Sequence, residues 1–210
     1  MNTQEHLTRM KKYQIIYADP PWRFGSKQLQ KYQGSRFASL DSREYSTMDT
    51  EDICSLPTKE IVDDDCALFL WTTDGHIPDA LKVIEAWGFR YITIAFIWSK
   101  KTKTGKQVAT LGAWTMKNCE ICLFGTRGNM LKHKVSNNQY QLIEAVRTNH
   151  SAKPDDTRLR IDAIFPNLNK IELFARQRAE GWDCWGNEVD IDENNIEAFI
   201  QLSQPNTRSK

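Results

Sequence analysis

The sequence predicts an α/β fold built on a largely parallel sheet, and three observations predict it. The apolar runs at 15–18 and 67–71 are continuous rather than alternating, as in strands covered on both faces. The second run is followed by a helical pattern at 76–87 and a third strand at 91–99, the order of a crossover unit. Finally, 210 residues, 40% hydrophobic and 26% charged, suit one globular domain with a proper core. A single domain over 1–210 is therefore expected, with its core at about 13–190 and a polar C-terminal tail.

The first element is the strand Tyr13–Ala18, which runs straight into Asp19-Pro20-Pro21-Trp22. The two prolines end it, because neither donates a ladder hydrogen bond and Pro20 biases Asp19 away from the helical region. A carboxylate just beyond the carboxyl end of a buried strand stands where open α/β sheets bind ligands. The chemistry that suits this corner is attack by an amine conjugated to an aromatic ring, such as N6 of adenine. Such a nitrogen is a poor nucleophile, and acceptors aimed at its N–H bonds stabilise the charge it develops. Asp19 supplies one acceptor and the Pro20 carbonyl another, with Pro21 keeping that carbonyl rigid. Trp22 offers a flat face for a base. Asp-Pro alone would more simply be a capping turn; Asp-Pro-Pro-Trp after a buried strand is far more specific.

Residues 25–50 form a long polar stretch in which Lys27, Lys31, Arg36 and Arg43 are mixed with aromatic residues. A loop of this length beside a candidate site is a substrate-closing element or a solvated insertion. Residues 46–56 read as a short helix with Thr47 or Asp49 at its start and Pro57 beyond its end. The strand at 67–71 leads to the helix at 76–87, with Ile77, Leu81, Ile84 and Trp87 at helical spacing and Gly88 as its stop. His76 reads as a helix-start residue.

After the third strand, Lys100, Lys101, Lys103 and Lys106 crowd a basic loop. It reads as a phosphate contact or a solvated turn, and the flanking Trp98 and Trp114 favour nucleic acid. Residues 118–125 form a fourth strand, and 142–146 a further short one. Pro154 opens a helix with Asp155 and Asp156 in its first turn and Leu159, Ile161 and Phe165 as apolar positions. Its N-terminus, with Lys153, suits a ligand carboxylate. Residues 170–176 then read as a strand, and 182–188 as a second one ending in Glu188, an arrangement suited to holding ribose hydroxyls. The glycine-rich phosphate fingerprint is absent, which disfavours a nicotinamide-dependent dehydrogenase.

Composition excludes other classes. The net charge of +1 gives no global basic field, so nucleic-acid binding rests on local patches. The start of the chain lacks the apolar core of a signal peptide, and the apolar runs are too short to cross a membrane. Five irregularly spaced cysteines suit a reducing cytoplasm. Cys119 and Cys122 form a CxxC within a strand, where residues three apart face opposite ways, so they read as core cysteines, and no metal is expected.

Asp19-Pro20-Pro21-Trp22, the His150…Lys153-Pro154 stretch and the Glu172-Leu173-Phe174-Ala175-Arg176…Gly186-Asn187-Glu188 segment occur in this order. Together they resemble the DPPW-type adenine N6-methyltransferases: small bacterial and phage DNA enzymes and the catalytic subunit of the eukaryotic messenger-RNA enzyme. The resemblance spans roughly residues 13–188. It implies a Rossmann-like class I methyltransferase sheet with permuted motif order, the catalytic motif preceding the cofactor motif, and S-adenosylmethionine as cofactor. It implies that Asp19, His150, Lys153, Glu172, Phe174, Arg176, Asn187 and Glu188 contact that cofactor. Small size favours DNA over RNA as the substrate. Lys27, Arg36, Lys100, Lys101, Lys103 and Lys106 are the candidate nucleic-acid contacts, and a homodimer or a partner subunit would complete target recognition. The rival within the family is a non-catalytic nucleic-acid-binding subunit, which has no need of an intact DPPW corner. One departure stands out: the connection between the last two strands is too short for the usual helix.

Overall fold

The computed structural model describes residues 11–23, 47–112, 114–148 and 152–189. Its centre is a seven-stranded sheet. The strands are β1 (Tyr13–Ala18), β2 (Val62–Thr72), β3 (Arg90–Lys101), β4 (Cys119–Arg127), β5 (Leu142–Val146), β6 (Lys170–Leu173) and β7 (Asp183–Trp185). Across the sheet the order is β5-β3-β4-β2-β1-β6-β7. β1 pairs in parallel with both β2 and β6, and β6 with β7. The sheet is mixed rather than wholly parallel. β4 runs antiparallel to both β2 and β3, so these two strands are parallel to each other but not adjacent.

β1 is buried on both faces, as its unbroken apolar run requires. Ile16 and Ala18 join one hydrophobic cluster, with Leu68, Leu70, Val83, Ile84 and Trp87. Ile15 and Tyr17 join the other, with Phe69, Trp71, Ile161 and Phe165. Helices α1 (Thr50–Ser55) and α2 (Ile77–Ala86) cover the first face through Ile53, Ala80, Val83 and Ile84. Helix α3 (Asp155–Ile164) covers the second through Ile161. Gly88 ends the α2 turn at φ +85°, a conformation that costs glycine little. No helix among the described residues is long and apolar enough to cross a membrane.

Two sequence expectations are corrected here. Leu159 is 66% exposed, because the stripe of α3 that faces the sheet passes through Arg158 and Ile161. Cys119 and Cys122 do face opposite ways, but only Cys122 is a core residue; Cys119 is exposed at the start of β4. The 174–182 connection between β6 and β7 holds no helix, as its length predicted.

The topology brings the two ends of the chain together. β1, early in sequence, lies beside β6, late in sequence, so Asp19 comes next to the segment that follows Leu173. The Asp19 N–H points to the Leu173 carbonyl at 3.4 Å. At the opposite edge of the same strands, the Tyr13 hydroxyl donates to Asp183 at 2.6 Å and Lys11 pairs with the same carboxylate oxygen at 2.8 Å, which ties β1 to the start of β7.

Candidate active site

The Asp19–Trp22 turn is held from both sides. The Trp22 N–H donates to the Pro20 carbonyl at 2.9 Å, and the Met48 N–H to the Pro21 carbonyl at 2.8 Å. Since a carbonyl oxygen has two lone pairs, Pro20 retains acceptor capacity. The expected open face of Trp22 is not what the structure presents. Trp22 is 7% exposed, and its indole N–H donates to the Trp71 carbonyl at 3.0 Å. Its ring stacks on His76, with centroids 5.8 Å apart and planes 21° from parallel. Trp22 therefore anchors the corner to the end of β2 rather than offering a platform to a base.

His76, a helix-start residue by its sequence, is the other half of this anchor. It is 6% exposed; its Nδ1 meets Thr73 Oγ1 at 2.9 Å and its Nε2 meets the Arg23 carbonyl at 3.2 Å. The available signal was a polar residue four positions beyond a buried strand's end. We expect Trp22→Ala to lose about 3–5 kcal/mol of stability, the cost of deleting a large buried ring. Trp22→Phe, which keeps a ring but strips the Trp71 carbonyl of its donor, should lose about 1 kcal/mol. Denaturant titration of the two variants checks the ratio.

Asp19 lies at the end of a buried chain of charges. Lys153 Nζ sits 2.6 Å from Asp19 Oδ2 and 3.0 Å from Glu120 Oε2, and Lys100 pairs with the other oxygen of Glu120. The side chains of Lys153, Glu120 and Asp19 are 9%, 12% and 16% exposed. Lys153 also lies over the Trp71 ring, 5.6 Å from its centroid. Burial and the nearby Glu120 raise the Asp19 pKa, only partly offset by Lys153 and Arg176. Burial opposes ionisation of Glu120 too, but Lys153 and Lys100 outweigh it and hold that carboxyl below its ordinary range. The pKa of Lys153 is raised: burial pulls it down, and its two carboxylate neighbours more than compensate. The result is a permanent cation gripping a carboxylate that ionises less readily than usual. Glu120 had no assigned role in the sequence; its signal was a lone acid inside an otherwise apolar strand.

A cleft of about 380 Å³ opens beside Asp19, within the range of small-molecule sites. Its walls include Asp19, Pro21, Met48, Phe174, Ala175, Arg176, Trp185, Gly186, Asn187 and Glu188. The sequence-predicted Asp19, Phe174, Arg176, Asn187 and Glu188 thus converge on one cavity. Phe174 takes φ +63°, a sparsely populated conformation for an aromatic residue, and meets Trp185 edge-on at 5.3 Å. Backbone strain of this kind persists only where surrounding structure enforces it.

Gly186 is required by close packing: a Cβ there would lie 2.2 Å from the Ala175 carbonyl oxygen and 2.7 Å from its nitrogen. The two cleft walls touch at this point, where the Ala175 N–H donates to the Trp185 carbonyl at 3.0 Å. We expect Gly186→Ala to force the walls apart at a cost of about 1–3 kcal/mol. Ligand affinity should fall with stability, which calorimetric titration of the variant checks.

Other predicted residues sit elsewhere. Glu172 is not among the residues lining the cleft. It is buried against Arg158, at 2.7 Å, on the face of β6 beside Tyr17. Burial raises its pKa, with Arg158 holding it back. Lys101 pairs with Glu144 at 2.7 Å, and Lys103 and Lys106 are exposed. His150, Lys27 and Arg36 lie outside the described residues, as do most of the 25–50 stretch and the tail from residue 190.

The MT-A70 family model matches residues 13–188, from the first residue of β1 to the cleft residue Glu188. The chain belongs to the MT-A70 family. It is 36% identical over 201 residues to the type II methyltransferase M.MunI of Mycoplasma, covering 91% of this chain and 83% of that protein. It is 27% identical over 183 residues to the human N(6)-adenosine-methyltransferase catalytic subunit METTL3, and 27% over 180 residues to a probable rice N(6)-adenosine-methyltransferase. It spans only 28% and 23% of those two MT-A70 relatives, so the match is to one region of much longer chains.

Proposed function

We propose that this chain is a DNA adenine N6-methyltransferase that takes its methyl group from S-adenosylmethionine. The observation that carries the reading is the cleft that opens directly onto Asp19, with Phe174, Arg176, Asn187 and Glu188 in its walls. These groups suit that cofactor: an aromatic side chain for the adenine, a carboxylate and an amide for the ribose hydroxyls, and no phosphate-binding glycine loop, which this donor does not need. When bound, the cofactor supplies an electrophilic methyl group on a sulfonium. The chain's own residues do the rest. Asp19 and the Pro20 carbonyl accept the two N–H bonds of the adenine amine and stabilise its developing positive charge. Lys153 holds the Asp19 carboxylate in place. Catalysis is then mainly positioning and charge stabilisation.

The fold reading is a Rossmann-like class I methyltransferase sheet in permuted order. What supports it is that the strand bearing the candidate catalytic turn precedes in sequence, and adjoins in space, the strands that wall the cleft. We assign residues 1–210 to one methyltransferase domain acting in the cytoplasm of a bacterial or phage-infected cell. DNA is preferred to RNA because the Mycoplasma type II methyltransferase is matched over most of its length, the N(6)-adenosine-methyltransferase relatives over about a quarter of theirs. Lys103 and Lys106, with Lys27 and Arg36, are the proposed phosphate contacts, and a second copy or a partner subunit would extend target reading.

The test is two-part. S-adenosylmethionine should raise the melting temperature and NAD should not. Methyl transfer to matched DNA should exceed transfer to RNA of the same sequence by at least tenfold. Stabilisation by NAD alone, or transfer to RNA alone, overturns the reading.

A further inference from the structure

Resting on the adenine-methyltransferase reading, we propose that Trp114 is a wedge that enters duplex DNA and fills the place of the departed target adenine. The arm between β3 and β4, described at 102–112 and 114–118, lies on the edge of the sheet where β1 delivers Asp19. β3 is parallel to β2 and hence to β1, and the arm re-enters the sheet at Cys119, one residue before Glu120, which grips the Lys153–Asp19 pair. The arm is built rather than loose. Thr110 and Lys117 form two backbone hydrogen bonds, at 2.7 and 2.8 Å. Lys117 clasps Asp74, just past the end of β2, at 2.8 and 2.7 Å. Lys101 and Gln107 pair lower down. A Cβ on Gly112 would lie 2.4 Å from the Thr115 carbonyl, so the backbone at these two positions comes close together beside Trp114.

At this turn Trp114 is 93% exposed, the most exposed large apolar side chain among the described residues, with Leu111 at 69% and Met116 at 56% beside it in sequence. Holding an indole in water on a tied-down turn wastes hydrophobic burial unless something covers it. What covers it is indicated by its surroundings: exposed Lys103 and Lys106 on the same arm match a phosphate backbone, and the reacting group nearby is recessed. The adenine amine reaches Asp19 only if the base leaves the stack. The vacated space costs unstacking energy that an inserted apolar side chain recovers. A flat indole stacks on any base, so the wedge is indifferent to sequence.

The experiment uses the full chain with duplex and single-stranded DNA of one sequence and two readouts. The first is methyl transfer. The second is fluorescence of 2-aminopurine at the target position, read without methyl donor. The expected result for Trp114→Ala is a loss of transfer to duplex of about tenfold, the effect of one base–aromatic stack, with transfer to single strands unchanged. The 2-aminopurine rise seen with the unsubstituted protein on duplex is lost too, and Trp114→Phe restores both. Equal loss on both substrates, accompanied by a change in sedimentation from dimer to monomer, would make the surface a protein contact and overturn the proposal. Unchanged duplex activity, or no 2-aminopurine rise with the unsubstituted protein, also overturns it. Absence of N6-methyladenine from every substrate would instead refute the underlying reading, and the fluorescence arm would still judge the wedge.

Discussion

Asp19→Ala reduces methyl transfer by about a thousandfold or more and leaves the cofactor's affinity within a few fold. The size follows from the role: removing one preorganised partner of transition-state charge typically costs 10²–10³ in rate, and Asp19 is the only carboxylate in the DPPW turn. The separation of effects follows from the geometry. Asp19 is one wall residue of the cleft, whereas Phe174, Arg176, Asn187 and Glu188 lie on the segments after β6 and β7 and remain in place when its carboxylate is removed. Calorimetry and single-turnover transfer on the same preparation check the two halves. Asp19→Asn keeps the shape and one acceptor oxygen, loses the charge, and should fall between the extremes.

Lys153→Met is the second large effect, and it acts on stability, rate and pH dependence together. The substitution removes the one cation between two buried carboxylates, Asp19 and Glu120, and breaking a buried pair in this way costs about 3–5 kcal/mol. The pH dependence has a definite sign. The competent form of Asp19 is ionised, and its pKa already lies above the ordinary 3.8, so activity is lost as pH falls through that raised value. Lys153 is what holds the value down, so in the variant the acid limb of kcat/KM moves to higher pH. Stability runs the other way. A carboxyl whose folded pKa exceeds its unfolded value is costly to ionise, and that cost is absent below pH 3.8 and complete above the folded pKa. The variant's stability deficit should therefore be smallest in acid and full at neutral pH, which denaturant titrations across that range will read.

The parts legible in sequence were those fixed by local pattern. β1 and the turn after it follow from an apolar run stopped by two prolines, α2 from helical spacing closed by Gly88, and β5 from 142–146. The cleft residues Phe174, Arg176, Asn187 and Glu188 came as a set through family resemblance, and the structure places them around one cavity. What sequence hid was pairing at long range. β4 reads as one more strand, and nothing local tells that it runs antiparallel between β2 and β3. The burial of Arg158 on α3 has no local signal, because its partner, Glu172, lies on β6. Lys153 reads as a ligand for an anion and is found holding Asp19, 134 residues away. Trp22 looked available to a base because a motif gives no burial; its partners Trp71 and His76 arrive only with the fold.

The central claim is that the amine delivered to Asp19 is N6 of adenine, and identifying the methylated nucleoside tests it most directly. Duplex DNA incubated with the protein and labelled S-adenosylmethionine, then digested to nucleosides, should carry its label in N6-methyldeoxyadenosine and lose it with Asp19→Ala. Label in a methylated cytosine, or label in adenine that survives Asp19→Ala undiminished, would contradict the account.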